Sequence, residues 1–192
     1  VYKRQGIYIG TAWDQAESVY SGYHKYVDHV IVMRKPASEI ELEAHDAWEK
    51  GELESAFSLF CQCAELGQVG CMLDLGYFYD EGLGVGIDKE KAMAWYRRAY
   101  RRGVSAAASN IAILYREQRR HRLERQWIER AVALGDGDAE VHLAKLYLAG
   151  KGARRSKAMA KALLTKATTS GKITEVSREE AAALLRELEG EY

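Results

Sequence analysis

Leu75-Gly76-Tyr77-Phe78-Tyr79-Asp80-Glu81-Gly82-Leu83-Gly84-Val85-Gly86-Ile87-Asp88-Lys89-Glu90-Lys91-Ala92-Met93-Ala94-Trp95-Tyr96-Arg97-Arg98-Ala99 reads as the end of one helix, a glycine turn and most of a second helix. Leu75, Gly76 and Tyr79 fall on one helical face, and the small residue among them lets a neighbouring helix approach closely. Gly82 is placed to end the first helix in a left-handed conformation, which glycine adopts cheaply. Asp88 is positioned to cap the second helix. That helix then carries a buried stripe of Ala92, Trp95, Tyr96 and Ala99. The run Gly82-Leu83-Gly84-Val85-Gly86 is not a phosphate loop. It lacks the Gly-Lys-Ser/Thr ending and follows a helix instead of a strand.

The same pattern recurs along the chain. Glycines that would end the second helix stand at Gly67, Gly103, Gly135 and Gly171, separated by 36, 32 and 36 residues. A large apolar pair precedes each: Leu59-Phe60, Trp95-Tyr96, Trp127-Ile128 and Leu163-Leu164. Four residues after the first of each pair comes a small one: Cys63, Ala99, Ala131 and Ala167. Downstream of the glycines, Leu75-Gly76-Tyr77-Phe78-Tyr79 is matched by Ile111-Ala112-Ile113-Leu114-Tyr115 and Leu143-Ala144-Lys145-Leu146-Tyr147. Gly82-Leu83-Gly84 is matched by Gly150-Lys151-Gly152, whereas the unit at 104–135 lacks this loop and the first unit has only a short turn at Gly51. One such helix pair cannot bury its apolar face alone, and stacking about three or more makes a continuous core.

The spaced set Leu75, Gly76, Tyr79, Gly82, Gly84, Val85, Asp88, Lys91, Ala92, Trp95, Tyr96, Ala99 and Gly103 is similar to the Sel-one-like repeat, a relative of the tetratricopeptide repeat. The unit at 138–171 follows it with Leu163 in place of the usual Trp, and the resemblance spans residues 39–175. It implies an all-α fold: a right-handed α-solenoid of stacked antiparallel helix pairs, about four repeats plus a capping helix, that holds or bridges other proteins. The expected organisation is a non-repeat segment at 1–37 and a solenoid at 38–192, with its cap at 177–190. Ser38-Glu39-Ile40-Glu41 and Ser177-Arg178-Glu179-Glu180 read as capping boxes that open the first and last helices.

The composition agrees. One proline in 192 residues favours long helices, and 47% apolar residues exclude a disordered chain. No run reaches the roughly 18–20 apolar residues of a membrane-spanning helix. The chain starts at Val1, which suggests a missing start and makes residues 1–37 either the remnant of an upstream domain or a cap on the first helix pair. Within them, Gly6-Ile7-Tyr8-Ile9-Gly10 and His29-Val30-Ile31-Val32-Met33 read as short strands, and Asp14 to Tyr26 as a helix.

Charge is neutral only by cancellation, 28 Lys and Arg against 28 Asp and Glu. Arg97, Arg98, Arg101, Arg102, Arg116, Arg119, Arg120, Arg122, Arg125 and Arg130 crowd the middle, while acids crowd both ends. The cluster is either a solvated face with ion pairs or a basic patch for an acidic protein segment. RNA is disfavoured, because Trp95, Tyr96, Tyr100, Tyr115 and Trp127 sit at repeat positions and so belong to the core.

Catalytic chemistry finds little support. No nucleophile, base and orienting group come together. The histidines at 24, 29, 45, 121 and 142 form no metal-ligand pair on one helix, and no cofactor or metal is expected. Cys61, Cys63 and Cys71 lie close in sequence. In cysteine-rich secreted members of the resembled family, a Cys-x7-Cys pair is a disulfide clamping adjacent helices, so the resemblance implies a Cys63–Cys71 bridge. Later units have Ala99 and Ala107, then Ala131 and Ala139, at those positions, so cysteine as another small buried residue also fits. One bridge among the units, with Cys61 left over, favours that second reading. Compartment follows redox state: cytoplasmic if reduced, periplasmic or secreted if bridged.

The resemblance makes the first helix of each unit line a concave groove. Repeat register then points Asp46, Glu49, Leu73, Tyr77, Asp80, Ser109, Ile113, Arg116, Val141, Lys145 and Leu148 into it. This mixture of apolar, aromatic and charged side chains suits a peptide or helix of a partner protein, with acidic character favoured by the arginines. The competing expectations are a repeat module of a larger enzyme, or a relative of the cysteine-rich repeat proteins described as β-lactamases or penicillin binders. Against the latter, the chain has no Ser-x-x-Lys.

Overall fold

The computed structural model describes residues 7–8 and 33–190. Two short strands, β1 (Ile7–Tyr8) and β2 (Met33–Arg34), pair antiparallel, with Ile7 opposite Arg34 and Tyr8 opposite Met33. The expected helix at 14–26 and the remainder of both expected strands lie outside the described residues. The rest of the described chain is helical: α1 (Ala37–Glu49), α2 (Leu53–Glu65), α3 (Val69–Glu81), α4 (Lys89–Tyr100), α5 (Ser105–Glu117), α6 (His121–Ala133), α7 (Gly137–Ala149), α8 (Lys157–Thr168) and α9 (Glu175–Glu189). Each odd helix packs against the even helix that follows, each pair packs on the next, and α9 closes the stack against α7 and α8.

The helix boundaries follow local chemistry. Gly82 and Gly150 end α3 and α7 in the left-handed region, at φ 74° and 68°. Asp88 caps α4 by accepting the Lys91 N–H at 2.9 Å. Neither expected capping box forms. The backbone carbonyl of Pro36 takes the first N–H groups of α1, so Ser38 lies inside the helix. Thr174 caps α9 through the Ser177 N–H, which places the helix start ahead of Ser177. Gly67, Gly103 and Gly135 adopt positive φ as their helix-ending role requires. Gly171 does not.

Turn lengths alternate. The turns 50–52 and 118–120 are tight, whereas the glycine loops 82–88 and 150–156 are long. Each long loop seats on the preceding tight-turn unit. A Cβ at Gly84 would overlap the Leu53 carbonyl at the start of α2, and one at Gly152 would overlap the His121 carbonyl at the start of α6. Arg125 Nε further donates to the Gly152 carbonyl at 3.0 Å. The backbones approach too closely there for any side chain.

The core changes character along the stack. Through α1–α4 it is aromatic: Phe60, Phe78 and Tyr96 are fully buried, and Trp48 meets Phe60 and Phe78 edge-on at 6.0 and 5.1 Å. Burying each such ring contributes about 2–3 kcal/mol. Through α5–α9 the core is mostly Ala, Leu and Ile, with two buried carboxylates, Glu124 and Glu140. Cys63 and Cys71 are joined by a disulfide that ties α2 to α3, with Cα atoms 5.9 Å apart. Cys61 stays reduced, and burial, aided by Glu65, pushes its thiol pKa up.

Candidate partner-binding face

The first helices α1, α3, α5, α7 and α9 share one side of the stack. Contacts run along it from α1 to α3, from α5 to the N-cap of α7 and from α7 to α9: His45 Nε2 to Asp74 at 3.4 Å, Ser109 Oγ to Asp136 at 3.5 Å, and Lys145 Nζ to Glu180 at 2.8 Å. On this face Asp46, Glu49, Tyr77, Arg116 and Lys145 are exposed, and Leu73, Ser109, Ile113 and Leu148 are half-buried.

Two expected groove residues are turned inward. Val141 is 1% exposed and packs in the cluster that α8 and α9 complete. Asp80 is buried, accepting from Tyr96 Oη at 3.2 Å and Lys89 Nζ at 2.5 Å. In both cases a neighbouring helix covers that edge. The open strip keeps Tyr77 on α3 and Lys145 on α7, beside half-buried Asp74 and His142.

Two cavities open on the face, and both are lined by Arg116, His142 and Lys145. The larger, about 220 Å³, lies between α5, α6 and α7 and adds His121, Glu124 and Lys151. The smaller, about 120 Å³, lies between α5, α7 and α9 and adds Asp138, Ser177 and Glu180. Glu124 forms part of the larger notch, 1% exposed on α6. Its Oε2 is 2.8 Å from His121 Nδ1 and its Oε1 is 3.1 Å from His142 Nε2.

Electrostatics sharpen the picture. Burial pushes the His142 imidazole below its usual pKa; Glu124 pulls it back, while Arg116 and Lys145 push it further down. Burial raises the Asp74 carboxyl to about 6, against the opposing pull of His45 and with added repulsion from Glu41. Asp138 also feels burial, but hydrogen bonds from Ser177 and Thr174 outweigh it and hold the carboxyl low. Among the described residues no group of His, Cys, Asp and Glu side chains could hold a metal ion, and no helix is long and apolar enough to cross a membrane.

Sequence reasoning did not pick out Asp74, His121, Glu124, His142 or Lys151 for this face. The signal for two of them was present: Asp74 and His142 occupy the same position in the two long-loop units, one residue past the Leu73 and Val141 that were selected.

Stacked helix pairs joined by alternating tight and glycine turns, with an accessible first-helix face, define an α-solenoid repeat protein. Two of its units match the model of the Sel1 repeat, at residues 69–104 and 137–172. No curated protein matches the chain. Among solved structures, the chain is similar to a Sel1 repeat protein from Oxalobacter formigenes, at 19% identity and TM-score 0.67, over 79% of this chain and 63% of that one. It is also similar to c5321, a protective antigen of uropathogenic Escherichia coli strains displaying an SLR fold, at 18% identity and TM-score 0.65, over 81% of this chain and 39% of that one. The chain thus spans less than two thirds of either relative, and the likeness is one of fold.

Proposed function

We propose that the protein is a non-enzymatic scaffold or adaptor that holds an extended segment or helix of a partner protein along the face of α1, α3, α5, α7 and α9. The observation that carries this reading is the row of exposed side chains, Asp46, Glu49, Tyr77, Arg116 and Lys145, on four successive first helices. Solenoids use such extended faces for recognition, and side chains of differing character at regular spacing give an extended ligand its register. Sel1 repeats serve in general as protein-interaction modules.

The test selects displayed peptides on the immobilised protein and measures their affinity for a Tyr77→Ala, Arg116→Glu variant. Both positions are exposed, so the melting temperature should stay unchanged while binding falls at least about tenfold. Unchanged binding with an intact fold would refute the groove. The scaffold reading also expects no hydrolysis of nitrocefin, and turnover there would favour an enzyme instead.

A further inference from the structure

We propose that the notch between α5, α6 and α7 anchors a carboxylate from an acidic segment of the partner protein, with Arg116 and Lys151 as its charged contacts and His142 at its wall. The proposal rests on the reading of the first-helix face as the binding surface and assigns one end of that face its chemistry.

Charge complementarity carries it. Arg116, Lys145 and Lys151 line the notch. Among the described residues, no acid forms an ion pair with Arg116 or Lys151, and Lys145 is held by Glu180 of α9. Glu124 is the one acidic residue in the lining, and both of its oxygens are already occupied by the two histidines. The wall therefore presents more positive charge than it neutralises, in a cavity of about 220 Å³ that Leu146 and Ala149 also line. A carboxylate placed there would meet guanidinium and ammonium donors together, the arrangement that gives short, strong hydrogen bonds.

The corresponding place in the first half of the chain has the opposite character. Trp48 stands where Arg116 does, Asp74 where His142 does, and Tyr77 where Lys145 does. Glu41, Asp46 and Glu49 flank it. An acidic group would be repelled at that end and held at the other, so the face imposes a direction on the partner. A protein segment fits better than RNA because the notch holds no Trp, Tyr or Phe ring for base stacking, and Glu124 engages both of its histidines. The outer rings of Trp95 and Trp127 are already covered by Arg98 and Arg130, at 4.9 and 4.3 Å.

The experiment is fluorescence anisotropy with labelled alternating Glu-Ala and Gln-Ala decapeptides and with an oligouridylate, on the full chain and on an Arg116→Gln, Lys151→Gln double variant. Thermal melting checks the fold of the variant. The Glu-Ala peptide should bind at least about tenfold more tightly than the Gln-Ala peptide, and the double variant should remove that preference. The His121 and His142 imidazole resonances should shift when the Glu-Ala peptide binds. Equal affinity for the two peptides, or a preference that survives in the double variant, would overturn the proposal. So would oligouridylate binding that is tighter than Glu-Ala binding and lost in the same variant. If displayed peptides depend on Tyr77 yet lack acids and ignore the double variant, the groove stands and the anchor alone falls. If no peptide depends on Tyr77, the groove reading itself fails.

Discussion

The two halves of the solenoid share one backbone plan and differ in what fills it. The matched repeats begin at residues 69 and 137, an offset of 68 positions (137 − 69), and that offset relates contacts throughout. Gln68 donates to Glu41, and at the equivalent positions Ser109 donates to Asp136. Gly84 sits on Leu53 as Gly152 sits on His121. The side chains diverge. Gly76 under the Tyr96 ring becomes Ala144 beside Leu164, the Cys63–Cys71 bridge becomes Ala131 and Ala139, and buried Ala56 and Met72 become buried Glu124 and Glu140. Backbone approach is thus the fixed requirement, and each half meets its packing with a different set of volumes and charges.

The largest effect should come from the shared backbone contacts. Gly84→Ala and Gly152→Ala each drive a Cβ into a main-chain carbonyl at φ 62° and 72°. Neither the loop nor the helix start can yield cheaply, so each variant should lose about 3–4 kcal/mol in urea unfolding. A half that tolerates its alanine would break the equivalence.

Next comes the close approach in the first half. Gly76→Ala pushes a methyl into the Tyr96 ring and should cost about 3 kcal/mol. Adding Tyr96→Leu recreates the pairing of the second half, Ala with Leu. The double variant should therefore be more stable than the sum of the single changes predicts, by at least about 1 kcal/mol. Strict additivity would mean that the two positions do not determine each other's size.

The disulfide ranks third. It closes a loop of 8 residues, so Cys63→Ala, Cys71→Ala should cost about 2–3 kcal/mol, and reduction of the wild type should give a similar loss. Since Ala131 and Ala139 pack the equivalent junction, the variant should keep its helical content. Collapse of α1–α4 alone on reduction would show that the bridge, and not the aromatic core, holds that half together.

The repeat plan was legible because it rests on residues with few substitutes. Only glycine serves cheaply at Gly82 and Gly150, and small residues at Gly76 and Ala144 mark helix contact. Helix starts were less legible. Ser38 and Ser177 have the right neighbours for capping, but Pro36 and Thr174 reach the exposed N–H groups first. Asp46, Glu49, Tyr77, Arg116 and Lys145 are exposed on the face, but the inward turn of two others was not legible, because periodicity defines a face without revealing which edge a neighbouring helix covers. Val141 and Asp80 lie under that covered edge. Buried Glu124 and Glu140 were beyond reach, since His142 and Lys166 lie on other helices whose facing residues no local pattern identifies, and only His121 neighbours Glu124 on its own helix.

The finest comparison concerns Asp74 and His142, which hold the same place in the two halves. Burial disfavours charge there whatever its sign, raising the carboxyl to about 6 and lowering the imidazole from 6.5. The consequences for stability run in opposite directions. A raised carboxyl pKa gives a contribution that is complete below the unfolded value of 3.8 and is lost as pH rises through about 6. Asp74→Asn should therefore be more stable than wild type at pH 7.5, by about 2 kcal/mol, with the gap closing as pH falls toward 4. A lowered imidazole pKa works the other way: the native state resists the proton that the unfolded chain accepts below 6.5, so stability falls on acidification. His142→Gln should match wild type at pH 7.5 and gain on it as pH drops below 6.5. Urea titrations of the three proteins from pH 4 to pH 8 would resolve the two slopes. If both variants shift in the same direction, burial is not the common cause and the two positions are not equivalent.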